Sequence, residues 1–477
     1  MTDKPPSPDM SPEEFREWGH RFVDWVADYL AHPERYPVLS QVKPGDIRRQ
    51  LPPAPPLKPE PMEAMLGDLD NIIVPGITHW NHPAFFAYFA VTGSGPGILG
   101  ELLSAGFNVN GMLWRTSPAF TELEEHVLDW LRQMLGLPPD FKGIVYDTAS
   151  TSTFHALAAA REAITGYDVS EQGIAGPDAP RLRMYTSSQA HSSVDKAAMA
   201  IGLGRRGIVK IPVDREFRMD PVALEAAIKT DLADGWKPFC VSATIGTTST
   251  TSIDPVAEIA EICRRYGLWL HVDAAYAGAA AILPEMRWIL EGCENADSFV
   301  MNPHKWLFTP VDFSAFYCRR PDVLKRAFSL TPEYLKTAEG DSVTNFMDYG
   351  IQLGRRFRSL KFWMVVRYFG VEGLQARIRE HIRLGKLFAS WVAADSRFEV
   401  AAPAPFSVVC FRLKADDAAN QKLMDRVNAS GKIFISHTRL NDRLTLRFAI
   451  GNLRTTEDHV RMAWDLIGEF RGQTPNS

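Results

Sequence analysis

Short apolar runs that suit β-strands alternate with helical segments through the middle of this chain, and this alternation limits the possible folds more than any other feature. Parallel strands need crossover connections, which helices supply on both faces of a sheet. The pattern therefore predicts an α/β protein with a mostly parallel sheet. The candidate strands are Gly143–Tyr146, Arg183–Thr186, Ile208–Ile211, Phe239–Ala243, Leu268–Val272, Ser298–Met301 and Ala315–Cys318.

Helix-capping residues place several of the intervening helices. Ser117 is predicted to cap a helix that runs from Pro118 to Gly136. Two further helices are predicted over Asp220–Lys229 and Asp254–Tyr266, each with Asp-Pro as its cap and first residue.

The two ends of the chain differ from this central pattern. A capping box at Ser11 opens a helix with an aromatic stripe, which suits packing within one subunit or a contact between subunits. Seven prolines in 44–61 predict an extended connector. The last part of the chain is more charged and contains a strand-like run, Leu444–Ala449, before a final helix. We therefore expect an N-terminal segment over 1–90, a large domain over 91–375 and a small α+β domain over 376–477, in line with about 150 residues per domain.

Composition excludes several classes of protein. With 52 basic and 57 acidic residues, the net charge of −5 indicates neither nucleic acid nor an anionic membrane as a partner. The polar N-terminus is unlike a signal peptide, and no apolar run approaches the roughly 18 residues that span a bilayer. Five scattered cysteines without CxxC spacing indicate neither a disulfide framework nor a metal site. We expect a cytoplasmic protein without a structural metal.

Polar residues cluster where five of the candidate strands end. Ligands of parallel α/β sheets bind beyond the carboxyl ends of the strands, so these clusters imply one site. The clusters lie at 147–153, 189–193, 246–249, 271–275 and 302–306.

Each cluster taken alone has an ordinary structural interpretation beside a functional one. A hydroxyl-rich turn that opens a helix can bind phosphate, although it is more often only a cap. Asp273 could be a functional carboxylate, a cap or half of a buried ion pair. Lys305 could be a desolvated nucleophilic amine or a lysine whose head reaches solvent. His191 could stack on a planar ring, although a lone loop histidine rarely does.

The combination of these groups indicates pyridoxal 5′-phosphate. This cofactor needs a phosphate cradle, a group stacked on its ring, a carboxylate that keeps its ring nitrogen protonated, and a lysine that forms the Schiff base. The five clusters together supply one group of each kind.

Several long strings resemble the group II pyridoxal-phosphate-dependent amino-acid decarboxylases of the aromatic-L-amino-acid decarboxylase type. The resemblance covers nearly the whole chain and implies a fold type I, aspartate aminotransferase-like transferase fold. It also implies a homodimer with shared active sites, which favours a subunit contact for the first helix. The implied reaction converts a small-molecule L-amino acid into an amine and CO₂. The strings are 75–80, 82–89, 117–118 with 121–124, 189–193, 271–278, 302–306 and 354–361.

The resemblance also implies residue roles. Lys305 would form the Schiff base, Asp273 would pair with the pyridine nitrogen, and His191 would stack on the ring. Tyr334 matches the tyrosine of a mobile loop, here 328–346, that returns a proton to the substrate carbon. The other implied cofactor contacts are Thr148, Ala149, Ser150, Thr248, Ala275, Asn302 and His304.

The substrate pocket departs from the family pattern. Asn110 and Met112 stand where an aliphatic and an aromatic residue are expected, which suits a hydroxylated or heteroaromatic substrate, or one outside the aromatic set. Arg115 could pair with an acidic substrate or be structural, beside cap residues. The full set of expected pocket residues is Trp80, Tyr88, Val91, Thr92, Asn110 and Met112.

Three alternatives to aromatic decarboxylation remain at this stage. They are a pyridoxal-phosphate aldehyde synthase, a decarboxylase of a non-aromatic amino acid, and a non-enzymatic paralogue. Aldehyde-forming relatives often carry Phe in place of the loop tyrosine or lack the histidine. This chain keeps both Tyr334 and His191, which favours plain decarboxylation.

Overall fold

The alternation of strands and helices produces the expected sheet. The structure, a computed structural model, describes residues 9–330, 335 and 337–471. The strands are β1 Phe85–Phe86, β2 Lys142–Tyr146, β3 Leu182–Ser187, β4 Ile208–Ile211, β5 Lys237–Thr244, β6 Trp269–Asp273, β7 Ser298–Met301, β8 Ser314–Cys318, β9 Phe398–Val400, β10 Val408–Leu413, β11 Phe434–Leu440 and β12 Arg443–Ala449. The helices are α1 Pro12–Ala31, α2 Asp46–Gln50, α3 Met62–Asp68, α4 Gly95–Phe107, α5 Pro118–Leu135, α6 Ala149–Glu162, α7 Val169–Gln172, α8 Ser192–Ala200, α9 Pro221–Ala233, α10 Val256–Tyr266, α11 Pro303–Trp306, α12 Pro321–Phe328, α13 Arg358–Ala394, α14 Asp417–Ala429 and α15 Glu457–Arg471.

Strands β2 to β8 form one seven-stranded sheet in the order β2-β8-β7-β6-β5-β3-β4. The neighbours from β7 to β4 are parallel, and only β8 runs antiparallel to the strands on both sides of it. Antiparallel neighbours do not need a helical crossover, so the chain can return directly after the short α11. The prediction of a mostly parallel sheet from these seven strands is confirmed.

The sheet is covered on both faces. Every residue of β6, β7 and β8 is buried, as expected for strands between two helical layers. The adjacent residues Cys240 and Val241 of β5 lie in different hydrophobic clusters. Because successive side chains of a strand point to opposite faces, each face has its own apolar core.

The two Asp-Pro helix starts have different structures. Asp220 caps α9 by accepting hydrogen bonds from the N–H groups of Val222 and Ala223, as predicted. The same prediction is wrong for Asp254, because α10 begins at Val256 without a side-chain cap. The buried Asp254 carboxylate instead accepts from the N–H groups of Met219 and Thr244, which would otherwise be unpaired inside the protein.

The ends of the chain contain the expected helices and a second sheet. Helix α1 begins after its Ser11 cap, and β9 to β12 pair antiparallel in the order β11-β12-β10-β9. The extended connector is interrupted at α2, which forms between Pro44 and Pro52 where five residues without proline can make a helical turn. That part of the prediction for 44–61 is wrong.

The chain forms two compact units. Of the described residues, those within 9–85, 421–435 and 454–471 form one unit, and those within 86–420 and 436–453 form the other. These boundaries differ from 1–90, 91–375 and 376–477, so the three-part division stays a prediction. Within the described residues, no helix has the length and apolar character needed to cross a membrane.

Candidate active site

The polar clusters predicted at the strand ends all belong to the larger unit. Strand β6 ends at Asp273, and β7 leads through Asn302 into α11, which contains Lys305. Strand β2 leads to Thr148 at the start of α6, and β3 leads to His191 at the start of α8. Because these strands point the same way, their carboxyl ends share one edge of the sheet.

Lys305, Asp273 and His191 influence one another electrostatically. The half-buried position of Lys305 lowers the pKa of its amine, and the Asp273 carboxylate partly offsets this effect. The pKa of His191, on the exposed rim of the site, is lowered by the surrounding protein and by the charge of Lys305, and raised by Asp273. These mutual effects show that the three groups are near enough to interact, and a lysine amine whose pKa is lowered is better suited to act as a nucleophile.

Asp273 is fixed by the backbone that follows it. One carboxylate oxygen accepts a hydrogen bond from the N–H of Ala275 at 3.0 Å, and the residue is only 5% exposed. A carboxylate held rigidly in a dry site is suited to stabilising a positive charge on a ligand.

The Asn302 side chain offers a donor to an anion. Its Nδ2 lies 3.2 Å from Nε2 of His304, and its Oδ1 is buried and has no partner within the described part of the chain. Burial and the nearby Lys305 lower the pKa of His304 to about 3, so the ring is neutral. Its Nδ1 accepts the N–H of Phe313 at 2.9 Å, so its proton is on Nε2. Two N–H groups cannot bond to each other, so the amide must be turned over, with its oxygen accepting from Nε2 and its NH₂ group left as the unpartnered donor.

The start of α6 provides further donors. Thr148 caps this 14-residue helix, and its hydroxyl accepts from the N–H of Thr151. The N–H groups of Ala149 and Ser150 lie in the first turn, where no carbonyl of the helix can accept them. Such a helix start binds phosphate through backbone donors and the helix dipole.

The turn that contains Thr248 is held by a residue that the sequence analysis missed. The guanidinium of the buried Arg447, on β12, donates to the carbonyls of Thr248 and Ser249, both at 2.9 Å, and to the Ser436 hydroxyl at 3.2 Å. The sequence gives no signal for this contact, because Arg447 is distant from Thr248 along the chain and reaches it only through the packing of β12.

These residues fit pyridoxal phosphate. The unpartnered Asn302 donor and the α6 start suit a phosphate, the buried Asp273 suits a protonated ring nitrogen, and Lys305 suits the aldehyde carbon. Tyr334 lies outside the described residues, so the structure says nothing about its position.

The expected substrate-pocket residues differ in exposure. Tyr88 is 51% exposed, Thr92 is 2% exposed, and Val91 and Met112 are half-buried. Trp80 belongs to the smaller unit, where it stacks on Phe85. Their roles toward a substrate stay predictions.

Asn110 has only one end of its amide available. Its oxygen accepts from the backbone N–H of Arg355 at 3.0 Å, and its nitrogen lies 3.9 Å from the sulfur of Met112. A ligand would therefore meet an N–H donor at this position. Arg115 lies in an exposed helical turn, Trp114–Thr116.

A buried ion pair that the sequence analysis did not assign supports the end of β2. Arg355 donates to Glu124 at 2.6 Å and to the carbonyl of Val145 at 2.7 Å. The same Glu124 oxygen accepts from the N–H of Val145 at 2.9 Å. The pair thus fixes the strand that leads to Thr148. Both residues occur in the family-like strings, which was the available signal.

Comparison with known proteins identifies the family. The sequence model described as "Pyridoxal-dependent decarboxylase conserved domain" matches residues 44–414. The chain is 42% identical to the aromatic-L-amino-acid decarboxylase of Catharanthus roseus, over 95% of this chain and 93% of that protein. It is 43% identical to tyrosine decarboxylase 4 of Petroselinum crispum, over 98% of this chain and 95% of that protein.

Solved structures show the same similarity. The chain superposes on the Oryza sativa TDC solved with PLP and tryptamine with a TM-score of 0.94 and 39% identity, covering 98% of this chain and 99% of that one. It also superposes on 4-hydroxyphenylacetaldehyde synthase of Rhodiola rosea with a TM-score of 0.91 and 37% identity, covering 97% and 99%.

The match extends over most of the chain, and the sequence identity is well above the level at which two proteins share only a fold. It confirms the predictions of a fold type I architecture, of pyridoxal phosphate as the cofactor and of amino-acid decarboxylation as the activity. The chain belongs to the pyridoxal-dependent decarboxylase family.

Proposed function

We propose that this protein decarboxylates an aromatic L-amino acid to the corresponding amine, with pyridoxal phosphate held on Lys305. The observation that carries the proposal is the half-buried Lys305 amine at the same sheet edge as the buried Asp273 carboxylate and the Asn302 donor. The relatives named for aromatic, tyrosine and tryptophan decarboxylation support the aromatic substrate.

The cofactor, when bound, accepts the electron pair that is left when CO₂ departs. The residues of the chain hold and orient the reacting groups. Asp273 would keep a proton on the ring nitrogen, the NH₂ of Asn302 and the N–H groups at the α6 start would bind the phosphate, and His191 would stack on the ring. Tyr334 returns a proton to the substrate carbon.

The proposed substrate preference rests on Asn110 and Met112, which the family resemblance predicts to line the substrate pocket. The Asn110 NH₂, whose contact in the structure is the weak acceptor sulfur of Met112, can donate to a phenol or to a hydroxyl on a larger ring, and a thioether such as that of Met112 can pack against an aromatic face. We therefore propose a hydroxylated aromatic amino acid as the preferred substrate.

The proposal includes a homodimer in the cytoplasm. The exposed apolar residues of α4, Leu99, Leu102, Leu103 and Phe107, suit burial in a subunit contact. All five cysteines are buried and free, which suits a reducing compartment.

A panel of L-amino acids tests the proposal. Purified protein loaded with pyridoxal phosphate is assayed for CO₂ and amine from tyrosine, DOPA, tryptophan, phenylalanine, glutamate and aspartate. We expect stoichiometric CO₂ and amine from the aromatic set, most rapidly from a hydroxylated member, and none from the Lys305→Ala protein. CO₂ from glutamate or aspartate alone would refute the aromatic assignment.

The second candidate is an aldehyde synthase, favoured by the similarity to the Rhodiola rosea enzyme. Aldehyde, ammonia and peroxide in place of the amine in the same assay would establish it. The presence of Tyr334 and His191 supports decarboxylation instead.

A further inference from the structure

We propose that His381 is a positioning residue, which locks a column of three aromatic rings against the Lys305 amine. The column consists of Phe89, Tyr276 and Trp306. This inference rests on the proposed role of Lys305 as the lysine that holds the cofactor.

The three rings are stacked nearly parallel. The centroids of Phe89 and Tyr276 are 3.9 Å apart with an interplanar angle of 15°, and those of Tyr276 and Trp306 are 4.7 Å apart at 9°. Tyr276 and Trp306 are buried, so neither ring can tilt without displacing its neighbour.

Lys305 is adjacent to both ends of the column. Trp306 is the next residue along the chain, and at the other end the Lys305 Nζ lies 5.4 Å from the centroid of the Phe89 ring. The position of the amine therefore depends on the rings from two directions, through the backbone at Trp306 and through the face of Phe89.

His381, on α13, fixes the end of the column at Trp306. The indole N–H donates to Nδ1 of His381 at 2.9 Å, and Nε2 of the same ring contacts the carbonyl of Asn452 at 3.0 Å. Because Nδ1 accepts, the proton is on Nε2, which donates to that carbonyl. Both ring nitrogens are thus engaged, and the indole has one orientation.

Burial keeps this histidine in the neutral form that the contacts require. His381 is 2% exposed, and burial lowers its pKa to about 4. The edge of Phe308 also packs against it, with centroids 5.8 Å apart at 79°. Trp306 is buried, so water cannot replace His381 as the acceptor of the indole N–H. Removing His381 would therefore leave this donor unpaired and the indole without a fixed orientation.

A matched pair of variants isolates the hydrogen bond. His381→Leu and His381→Asn introduce side chains of nearly the same shape, but only Asn keeps an acceptor near the position of Nδ1. Trp306→Phe removes the donor from the other side and keeps an aromatic ring. Lys386→Gln changes an exposed residue of the same helix and serves as the control.

Each full-length protein is loaded with pyridoxal phosphate, and its cofactor affinity, the induced circular dichroism of the cofactor band and its unfolding temperature are measured. We expect His381→Leu and Trp306→Phe to weaken cofactor affinity by about tenfold and to alter the induced dichroism, since an unpaired buried donor or acceptor costs about 1–3 kcal/mol. We expect His381→Asn and the control Lys386→Gln each to stay within about twofold of the parent in cofactor affinity.

Two results would overturn the inference. One is equal changes in His381→Leu and His381→Asn, which would show that only ring volume matters. The other is a lower unfolding temperature with unchanged affinity and dichroism, which would show a purely structural role. Lys305→Ala, measured in parallel, separates this inference from the proposed function: if that variant keeps the covalent cofactor band, the assignment of Lys305 itself fails.

Discussion

The Asn302 side-chain amide contacts His304 at one end and has no partner at the other within the described residues, so its proposed role as a phosphate donor can be tested. Replacing it with Asp removes the NH₂ donor and places a carboxylate beside the cofactor phosphate. We expect cofactor affinity to fall by roughly tenfold to a hundredfold, the range for hydrogen bonds to charged groups. Equilibrium titration with pyridoxal phosphate measures this, with the exposed Asn295→Asp as control. Unchanged affinity in Asn302→Asp would exclude Asn302 from the phosphate site.

Asp273 is expected to act on the rate more than on binding. In Asp273→Asn the side chain keeps its shape but can no longer stabilise a protonated ring nitrogen. We expect kcat to fall by about a hundredfold or more, as when an electrostatic stabiliser is lost, while the cofactor remains bound. Steady-state kinetics with the best substrate of the panel measure this. A rate near that of the parent would show that the ring nitrogen has another partner.

The residues that could be predicted from sequence are those whose position follows from a strand end. Lys305 and Asp273 each follow an apolar strand, so their placement at one sheet edge needed only the sheet topology. The orientation of the Asn302 amide depends instead on His304 accepting the N–H of Phe313, a contact that no local pattern encodes.

Strand β2 is held by the buried ion pair of Glu124 and Arg355, both of which bond to the backbone of Val145. Removing one partner of a buried pair leaves the other charge uncompensated, at a cost of about 3–5 kcal/mol. We therefore expect Glu124→Gln or Arg355→Met to destabilise the protein by about that amount, and to weaken cofactor binding because β2 leads to Thr148. Urea unfolding monitored by circular dichroism measures the first effect.

The exposed pair Glu261 and Arg264, on α10, is the matched control for this experiment. Exposed pairs contribute about 0–1 kcal/mol, so Glu261→Gln should have little effect. Equal losses at the two pairs would contradict the special role of Glu124 and Arg355.

The bounds of elements could be predicted where a cap or a periodic pattern defines them. The start of α9 was correct because Asp220 caps its own helix. The start of α10 was wrong because the N–H groups of Met219 and Thr244, distant in sequence, use the Asp254 carboxylate. Hydrogen bonds to these distant N–H groups therefore took the place of the helix cap that the local sequence predicts.

For the whole molecule, buried neutral histidines predict sensitivity to acid. Burial lowers the pKa of four of them to about 4 and that of a fifth to about 3, whereas an unfolded histidine titrates near 6.5. Between these values the unfolded chain binds more protons, so stability is complete above about pH 6.5 and is lost as the pH falls toward 4. The five are His82, His155, His271, His381 and, with the lowest pKa, His304.

The free energy of unfolding in urea at pH 7 and at pH 5 checks this expectation. We expect a loss of several kcal/mol at the lower pH, because each pH unit between the folded and unfolded pKa values corresponds to about 1.4 kcal/mol. Equal stability at the two pH values would contradict the assignment of these rings as neutral and buried.

The central claim is that one lysine of this chain carries the cofactor. The most direct measurement is borohydride reduction of the loaded protein, followed by proteolysis and mass spectrometry of the modified peptide. We expect one phosphopyridoxyl group, on Lys305 in the sequence Asn302-Pro303-His304-Lys305-Trp306. The group on any other lysine, or on none, would contradict it.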